Sequence, residues 1–297
     1  MKKVLILHLL IFICLPACKK VSLDQLAFPS EKLTKYDFEK YDDPEIIIPP
    51  NYLPNPLEQY LIKIPSIDNE SGEVYNIYGL YMGDTTNIST DTIIYFCHGQ
   101  ARHMDYYWTR QALLAHTGGL YNYGVFMIDY RGYGMSEGSS TEQGLIEDAD
   151  AGIDWLISKG ASGEKTVYYG FSLGAIPLIH RAAYRSDFIP SKLIIESPLA
   201  SVDNITQSST LLNTDSDFIT SLDFNNVENI KEVEVPLMWL HGKEDSYVAI
   251  SNGELIYDNY SGQYQEAWRI DSADHADVPL KMGLNNYISA FLTFIRK

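Results

Sequence analysis

The sequence from residue 167 onward reads Val167-Tyr168-Tyr169-Gly170-Phe171-Ser172-Leu173-Gly174-Ala175. A short β-branched and aromatic run enters this stretch, and a run typical of a helix, residues 173–185, leaves it. A serine on a sharp strand-to-helix turn needs very small residues two positions before and after it, and Gly170 and Gly174 occupy those positions. The pattern predicts Ser172 as a nucleophile, the alternative being a turn with a purely structural role. The N–H of Leu173, at the start of the helix, is then free to bind a developing oxyanion.

Apolar runs alternate with helical candidates over most of the chain. The runs typical of buried parallel strands cover residues 92–97, 125–128, 166–169, 193–195, 237–240 and 267–270. The candidate helices cover residues 106–116, 141–158, 173–185, 251–260 and 279–295. Two further strands, at residues 60–64 and 74–82, are expected to add an antiparallel edge. This order predicts an α/β protein with a mostly parallel central sheet and helices on both faces.

Ligands of such sheets bind at the carboxyl ends of the strands, where the remaining motifs lie. The first motif is His98-Gly99-Gln100, in which Gly99 permits a sharp turn and the backbone N–H of Gln100 is a candidate second oxyanion donor. The alternative is a plain strand-ending turn. We interpret His98 itself as a hydrogen-bonded structural residue. Tyr106, Tyr107 and Trp108 follow as candidate pocket walls or as packing residues.

Two later strand ends supply a carboxylate and an imidazole. Asp245 ends His241-Gly-Lys-Glu-Asp245, and its carboxylate is placed to orient a histidine and to stabilise its charged form. His275 follows the last strand, in a loop, and is the predicted general base. The other candidates are Glu244 and Glu196 for the acid, and His103, His116 and His180 for the base.

The order Ser172, Asp245, His275 resembles the catalytic triad of the α/β-hydrolase superfamily. The stretch 129–138 and the motif at 241–245 are similar to those of the branch with serine-aminopeptidase-like hydrolases, monoacylglycerol lipases and small depalmitoylating esterases. The resemblance covers roughly residues 60–295. It implies the α/β-hydrolase fold and acyl transfer to water, with no cofactor and no metal. Asp274, before the predicted base, departs from the glycine that many relatives have there. We interpret Asp129 and Arg131 as structural and as a candidate ion pair.

Composition limits the partners. The chain has 297 residues and a formal net charge of −17. Such an acidic surface argues against nucleic acid as a partner and against electrostatic docking on anionic lipid, and it would repel a strongly anionic substrate.

The length suits one large α/β domain, here residues 57–297, in which residues 197–235 form a short lid. Residues 18–56 read as a tether and a proline-rich segment that wraps the domain surface.

The N-terminal residues read as a processing signal. Lys2 and Lys3 precede a mostly apolar run, 4–15, whose helical length of about 18 Å falls short of a bilayer core of roughly 30 Å. Residues 15–18, Leu-Pro-Ala-Cys, resemble a bacterial lipoprotein lipobox, which implies removal of residues 1–17 and attachment of acyl chains, palmitate among them, to Cys18. The expected location is the cell envelope, anchored by lipid to a bacterial membrane and facing the periplasm or the exterior. The alternative is an ordinary signal peptide with an incidental cysteine. Cys97 ends an apolar run and is expected to be a buried small side chain rather than a reactive thiol.

Three functions fit these features. The first is hydrolysis of carboxylic esters or thioesters by a Ser-His-Asp triad through an acyl-enzyme. The second is an exported aminopeptidase or oligopeptidase for short peptides, for which Asp215 or Asp217 in the lid is a candidate partner of a free amine. The third is a binding lipoprotein that keeps the fold without catalysis.

Overall fold

The computed structural model describes residues 28–55, 58–204 and 222–297. The predicted signal sequence, the predicted lipid attachment at Cys18 and the candidate lid residues Asp215 and Asp217 lie outside these ranges. Within the described residues, no helix combines the length and the apolar character needed to cross a membrane.

The described residues form one eight-stranded sheet. Its strands are β1 (Gln59–Ile67), β2 (Val74–Met82), β3 (Thr92–Cys97), β4 (Tyr123–Asp129), β5 (Thr166–Phe171), β6 (Lys192–Glu196), β7 (Leu237–Gly242) and β8 (Gln265–Ile270). Their spatial order is β1-β2-β4-β3-β5-β6-β7-β8. β1 pairs antiparallel with β2, and β2 pairs antiparallel with β4, whereas the other neighbours pair in parallel. The predicted α/β architecture with an antiparallel edge is therefore confirmed.

Helices cover both faces of the sheet. They are α1 (Met104–Leu114), α2 (Glu142–Ser158), α3 (Ala175–Tyr184), α4 (Asn226–Asn229), α5 (Ser251–Asn259), α6 (Val278–Met282) and α7 (Leu284–Ile295). Successive side chains of β3 point to opposite faces of the sheet and pack in two different core layers. Ile93 and Tyr95 pack in the layer that holds α2 and α3, while Ile94 and Phe96 pack in the layer that holds α1 and α7. Both faces of the central strands are apolar because both are covered.

One predicted helix is in fact two. The expected helix over residues 279–295 is broken at Gly283, which has a φ of +81° and separates α6 from α7. A residue in that conformation cannot continue a right-handed helix, and glycine adopts it without a side-chain clash.

The segment before β1 is fastened to the domain by buried contacts. The Tyr36 hydroxyl donates to Asp129 at 2.6 Å, and the backbone N–H groups of residues 37 and 38 donate to Asp105 on α1. Ile46 and Ile48 are buried in the same core layer as α1. Residues 28–55 therefore pack closely against the domain that they wrap.

Asp129 and Arg131 bind other groups rather than each other, so the candidate pair between them is wrong. Asp129 accepts hydrogen bonds from His98 at 3.0 Å and from the backbone N–H of Met104 at 2.9 Å. Arg131 forms ion pairs with Glu147 and Asp148 on α2 at 2.9 and 3.0 Å. Each residue fastens a different element to the loop after β4, because Arg131 reaches toward α2 while Asp129 faces the loop after β3.

Candidate active site

Ser172 lies on a strained turn between β5 and α3. Its φ is +52°, a left-handed conformation that non-glycine residues seldom adopt. A Cβ on Gly170 would lie 2.6 Å from the α-carbon of Ala175, and a Cβ on Gly174 would overlap the carbonyl oxygen of Cys97. The two glycines are thus required by close backbone packing on either side of the serine.

The structure brings the three sequence-predicted residues into one hydrogen-bonded line. His275 Nε2 lies 3.0 Å from Ser172 Oγ, and His275 Nδ1 lies 2.8 Å from Asp245 Oδ2. In the neutral imidazole, an Nδ1–H donated to Asp245 leaves Nε2 as an acceptor for the serine proton. The arrangement can therefore remove a proton from Ser172.

Asp245 is built to remain ionised. Its side chain is buried, and its Oδ1 accepts the backbone N–H groups of Tyr247 and Val248 at 2.9 and 2.7 Å. His241 Nε2 lies 3.2 Å from the other carboxylate oxygen, Oδ2. Burial by itself raises the pKa of Asp245, but the hydrogen bonds from His241 and His275 outweigh burial and hold that pKa well below its ordinary value.

Asp274 stabilises the loop that carries His275. Its Oδ1 accepts the backbone N–H of Ser246 and that of His275, both at 2.8 Å. These bonds tie the loop after β8 to the loop after β7, which carries Asp245. The sequence marked Asp274 only as a departure from glycine, and its role in joining the two loops was missed.

The two predicted oxyanion donors have unused N–H groups. Within the described part of the chain, neither the N–H of Leu173 nor that of Gln100 donates to another protein group. Gln100 and Ser172 line the same cavity. The Gln100 side chain donates to the hydroxyl of Tyr247, which lines the same cavity from the loop after β7.

The other histidines and carboxylates considered as the base or the acid bind other groups or lie outside the cavity. His98 Nδ1 lies 2.7 Å from the carbonyl oxygen of Gly99, and its Nε2 faces Asp129, in accord with a structural role. His103 is buried with its nearest carboxylate, Glu31, at 3.9 Å. His116 Nε2 lies 3.2 Å from the carbonyl oxygen of Tyr52, and His180 packs against Tyr184 on α3. Glu244 lies outside the cavity, and Glu196 pairs with Arg110 at 2.7 Å.

The cavity over Ser172 has a volume of about 490 Å³. Its described lining combines aromatic and acidic side chains and comprises Glu45, Gln100, Ala101, Tyr106, Tyr107, Phe171, Ser172, Ser246, Tyr247, Asp274, His275, Ala276 and Asp277. Tyr106 and Tyr107 are therefore pocket walls, whereas Trp108 lies elsewhere and donates its ring N–H to Gln59. Sequence reasoning missed Glu45 and Tyr247 as lining residues; Glu45 was expected in the proline-rich segment that wraps the domain surface.

Comparisons with solved structures agree with this topology. The esterase Pf2001 of Pyrococcus furiosus superposes with a TM-score of 0.63 at 18% identity, covering 88% of this chain and 98% of that one. Est1E of Butyrivibrio proteoclasticus, in complex with ferulic acid, superposes with a TM-score of 0.62 at 19% identity, covering 78% and 99%. The chain has the α/β-hydrolase fold. Ser172 lies on the turn between β5 and α3 of that fold.

Sequence comparison places the α/β-hydrolase likeness in the central part of the chain. Residues 88–226 match the family model described as Hydrolase_4: Serine aminopeptidase, S33. The α/β-hydrolase domain-containing protein aho-3 of Caenorhabditis elegans is 30% identical over 172 residues, 58% of this chain and 49% of the relative. The α/β-hydrolase domain-containing protein 17C of Mus musculus is 31% identical over 160 residues, 54% of this chain and 47% of the relative. The chain thus spans about half the length of these relatives.

Proposed function

We propose that the protein is a serine hydrolase that cleaves carboxylic esters or thioesters through an acyl-enzyme. The observation that carries the proposal is the continuous line from Ser172 Oγ through His275 to the buried Asp245. The esterases among the structural neighbours have the same fold, which supports the reaction class by analogy.

The mechanism follows from the positions of these groups. His275 Nε2 accepts the proton of Ser172 as the serine oxygen attacks the carbonyl carbon, and Asp245 stabilises the imidazolium that forms. The oxyanion is bound by the backbone N–H groups of Leu173 and Gln100. His275 then protonates the leaving alcohol or thiol, and water, deprotonated by the same imidazole, releases the acid.

Replacement of the serine tests the proposal. We expect Ser172→Ala to reduce turnover of short p-nitrophenyl esters by about a million-fold, because the triad acts as a unit. A fluorophosphonate probe should label the wild type once, at Ser172, and should not label the variant. The variant should retain the wild-type circular dichroism spectrum and melting temperature. Normal ester hydrolysis by Ser172→Ala would refute the assignment.

The second candidate is an aminopeptidase or oligopeptidase. The matched family description and the carboxylates of Asp274 and Asp277 around the cavity favour it, since carboxylates attract the amine of an aminoacyl substrate. A panel that pairs each p-nitrophenyl ester with an aminoacyl p-nitroanilide separates the two activities. Absence of fluorophosphonate labelling would instead favour the third reading, a binding protein without catalysis.

We also propose that the protein is exported and is anchored through acyl chains on Cys18. The support is the sequence: a basic start, a short apolar run and a cysteine in a lipobox-like context. Metabolic labelling with an alkyne analogue of palmitate should mark the wild type and place it in the membrane fraction. Cys18→Ser should lose the label and the membrane association, and a label retained in that variant would contradict the proposal.

A further inference from the structure

Arg110, in the middle of α1, has a fully buried guanidinium group with all five N–H groups bound. Nε–H and Nη2–H donate to the two oxygens of Glu45 at 2.7 and 2.8 Å. Nη1 donates to Glu196 at 2.7 Å and to the Tyr169 hydroxyl at 2.9 Å. The second N–H of Nη2 donates to the backbone carbonyl of Ala276 at 3.0 Å. We call Arg110, Glu45 and Glu196, with the hydroxyl groups that bind them, the Arg110 cluster.

The Arg110 cluster contacts the residues that surround His275. Ala276, whose carbonyl binds Arg110, directly follows His275 in the chain. The guanidinium carbon lies 4.2 Å from the centre of the Phe171 ring, and that ring lies 5.2 Å from the His275 ring. Ser197, which follows Glu196, directs its hydroxyl to the His275 carbonyl at 3.4 Å. The cluster thus contacts the backbone after His275 directly and the ring of His275 through Phe171.

Glu45 is ionised in this arrangement. Both of its oxygens accept N–H groups of Arg110, whereas a protonated carboxyl group would need one oxygen to act as a donor. Both oxygens of Glu196 likewise accept hydrogen bonds, from Arg110, Tyr169 and Tyr287, so the cluster places two carboxylates against one guanidinium, a formal excess of one negative charge. Burial raises the pKa of Glu45, and the charge of Arg110 opposes that rise.

We propose that Glu45 is a positioning residue for His275, acting through Arg110, and that the segment before β1 thereby completes the active site. This inference rests on the proposed function. Glu45 fixes two N–H groups of the guanidinium, which directs a third to the Ala276 carbonyl. His275 is then held at two points. Asp245 binds Nδ1 of its ring, and Arg110 binds the backbone carbonyl of the next residue, Ala276.

The excess negative charge has a second effect on His275. During catalysis His275 becomes a cation. Among the described residues, the charged or titratable groups that face it are Asp245, Asp274 and Tyr247 together with the Arg110 cluster. Glu45 is faced by Arg110, Glu196, Tyr106 and Tyr107. A cluster with one excess negative charge favours the imidazolium form, in addition to the effect of Asp245.

The test compares three variants. Glu45→Gln removes the charge and one acceptor of the bidentate pair, Glu45→Asp keeps the charge with a shorter reach, and Asp42→Asn removes an exposed carboxylate of the same segment as the control. Each is assayed for ester hydrolysis per active site, with sites counted by fluorophosphonate labelling at saturation. Dividing the rate by the number of labelled sites excludes a loss of activity that comes only from misfolded protein.

We expect Glu45→Gln to lower kcat about 100-fold, since small displacements of a catalytic group have effects of that size. The acid limb of its kcat/KM profile should move to lower pH by about half a unit, because the imidazolium loses a stabilising charge. Glu45→Asp should lower kcat and keep the wild-type acid limb, and Asp42→Asn should match the wild type. Wild-type kcat per site in Glu45→Gln would overturn the inference.

The failure of this inference is distinguishable from failure of the proposed function. A wild type with no labelled site and no ester turnover would refute the triad assignment. A wild type that is active, with Glu45 variants that equal it per site, would refute only the role of Glu45. If Glu45→Gln yields no folded protein, Glu45→Asp decides: reduced kcat per site supports the role, and unchanged kcat contradicts it.

Discussion

Gly174 packs directly against Cys97, so that a Cβ on the glycine would overlap the carbonyl oxygen of Cys97. Cys97 ends β3 and Gly174 ends the turn that carries Ser172, hence this contact sets the distance between two adjacent strand ends. The loop after β3 contains Gln100, the predicted oxyanion donor. The packing of a glycine against a backbone carbonyl thus brings Ser172, the proposed nucleophile, and Gln100, the proposed oxyanion donor, to the same cavity.

Gly174→Ala is therefore expected to destabilise the protein and to impair catalysis together. The added methyl group must push β3 and the turn apart, at a cost of about 1–3 kcal/mol. Ester turnover per labelled site should fall as well, because Ser172 and Gln100 move relative to each other. Denaturant unfolding and site-normalised kcat measure the two effects. The control is Gly72→Ala, in an exposed turn with a φ of +75°, which should lose about 1 kcal/mol and keep wild-type kcat.

Two substitutions of Gln100 separate the effect of its backbone N–H from the effect of its side chain. Gln100→Pro removes the N–H, and loss of one oxyanion donor reduces kcat by about a hundred- to a thousand-fold. Gln100→Ala keeps the N–H and removes only the amide that binds Tyr247, so kcat should stay within a few-fold of the wild type. Steady-state kinetics on a p-nitrophenyl ester compares them. An equal loss in both variants would show that the side chain supplies the donor.

Much of the fold could be predicted because its signals are local. The glycines around Ser172 and the apolar runs of the parallel strands are each legible within a few residues, and a known chain order links Ser172, Asp245 and His275. The Arg110 cluster was missed because Glu45 and Arg110 are 65 residues apart, and only tertiary packing joins them. Its one local signal is an arginine within the mostly aromatic and aliphatic run of residues 106–114. The division of α6 from α7 depends on the φ of Gly283, which a helical pattern does not disclose.

Asp245 is expected to be essential for the orientation and the charge of His275. Asp245→Asn preserves the size of the side chain and removes the charge, and the amide favours the wrong tautomer of the imidazole. A loss of about 10⁴ in kcat follows from this mechanism. Asp271→Asn, an exposed carboxylate paired with Lys243, is the matched control and should retain full activity. Activity near the wild-type level in Asp245→Asn would require another partner for His275 Nδ1.

The pKa of Asp245 also predicts how the free energy of unfolding depends on pH. Its pKa in the folded protein lies below the ordinary value of 3.8, which approximates the unfolded chain. The stabilisation is therefore fully present above about pH 4 and is lost as the pH falls through the folded value. Unfolding free energies measured from pH 5 to pH 2 should decline more steeply for the wild type than for Asp245→Asn. Parallel curves for the two proteins would contradict the depressed pKa.

The cavity over Ser172 is expected to discriminate against anionic substrates. Among the described residues that line it, Asp274 and Asp277 are acidic, none is lysine or arginine, and the third acidic residue, Glu45, is paired with Arg110; the whole chain has a net charge of −17. A p-nitrophenyl ester of a neutral acid should therefore have a kcat/KM at least about 10-fold higher than the half-ester of a dicarboxylic acid of similar length, since like charges repel at short range. Raising the ionic strength should narrow the difference through screening. The combined variant Asp274→Asn and Asp277→Asn should narrow it further at constant salt. Equal kcat/KM values for the two esters at low salt would show that the carboxylates do not face the acyl group.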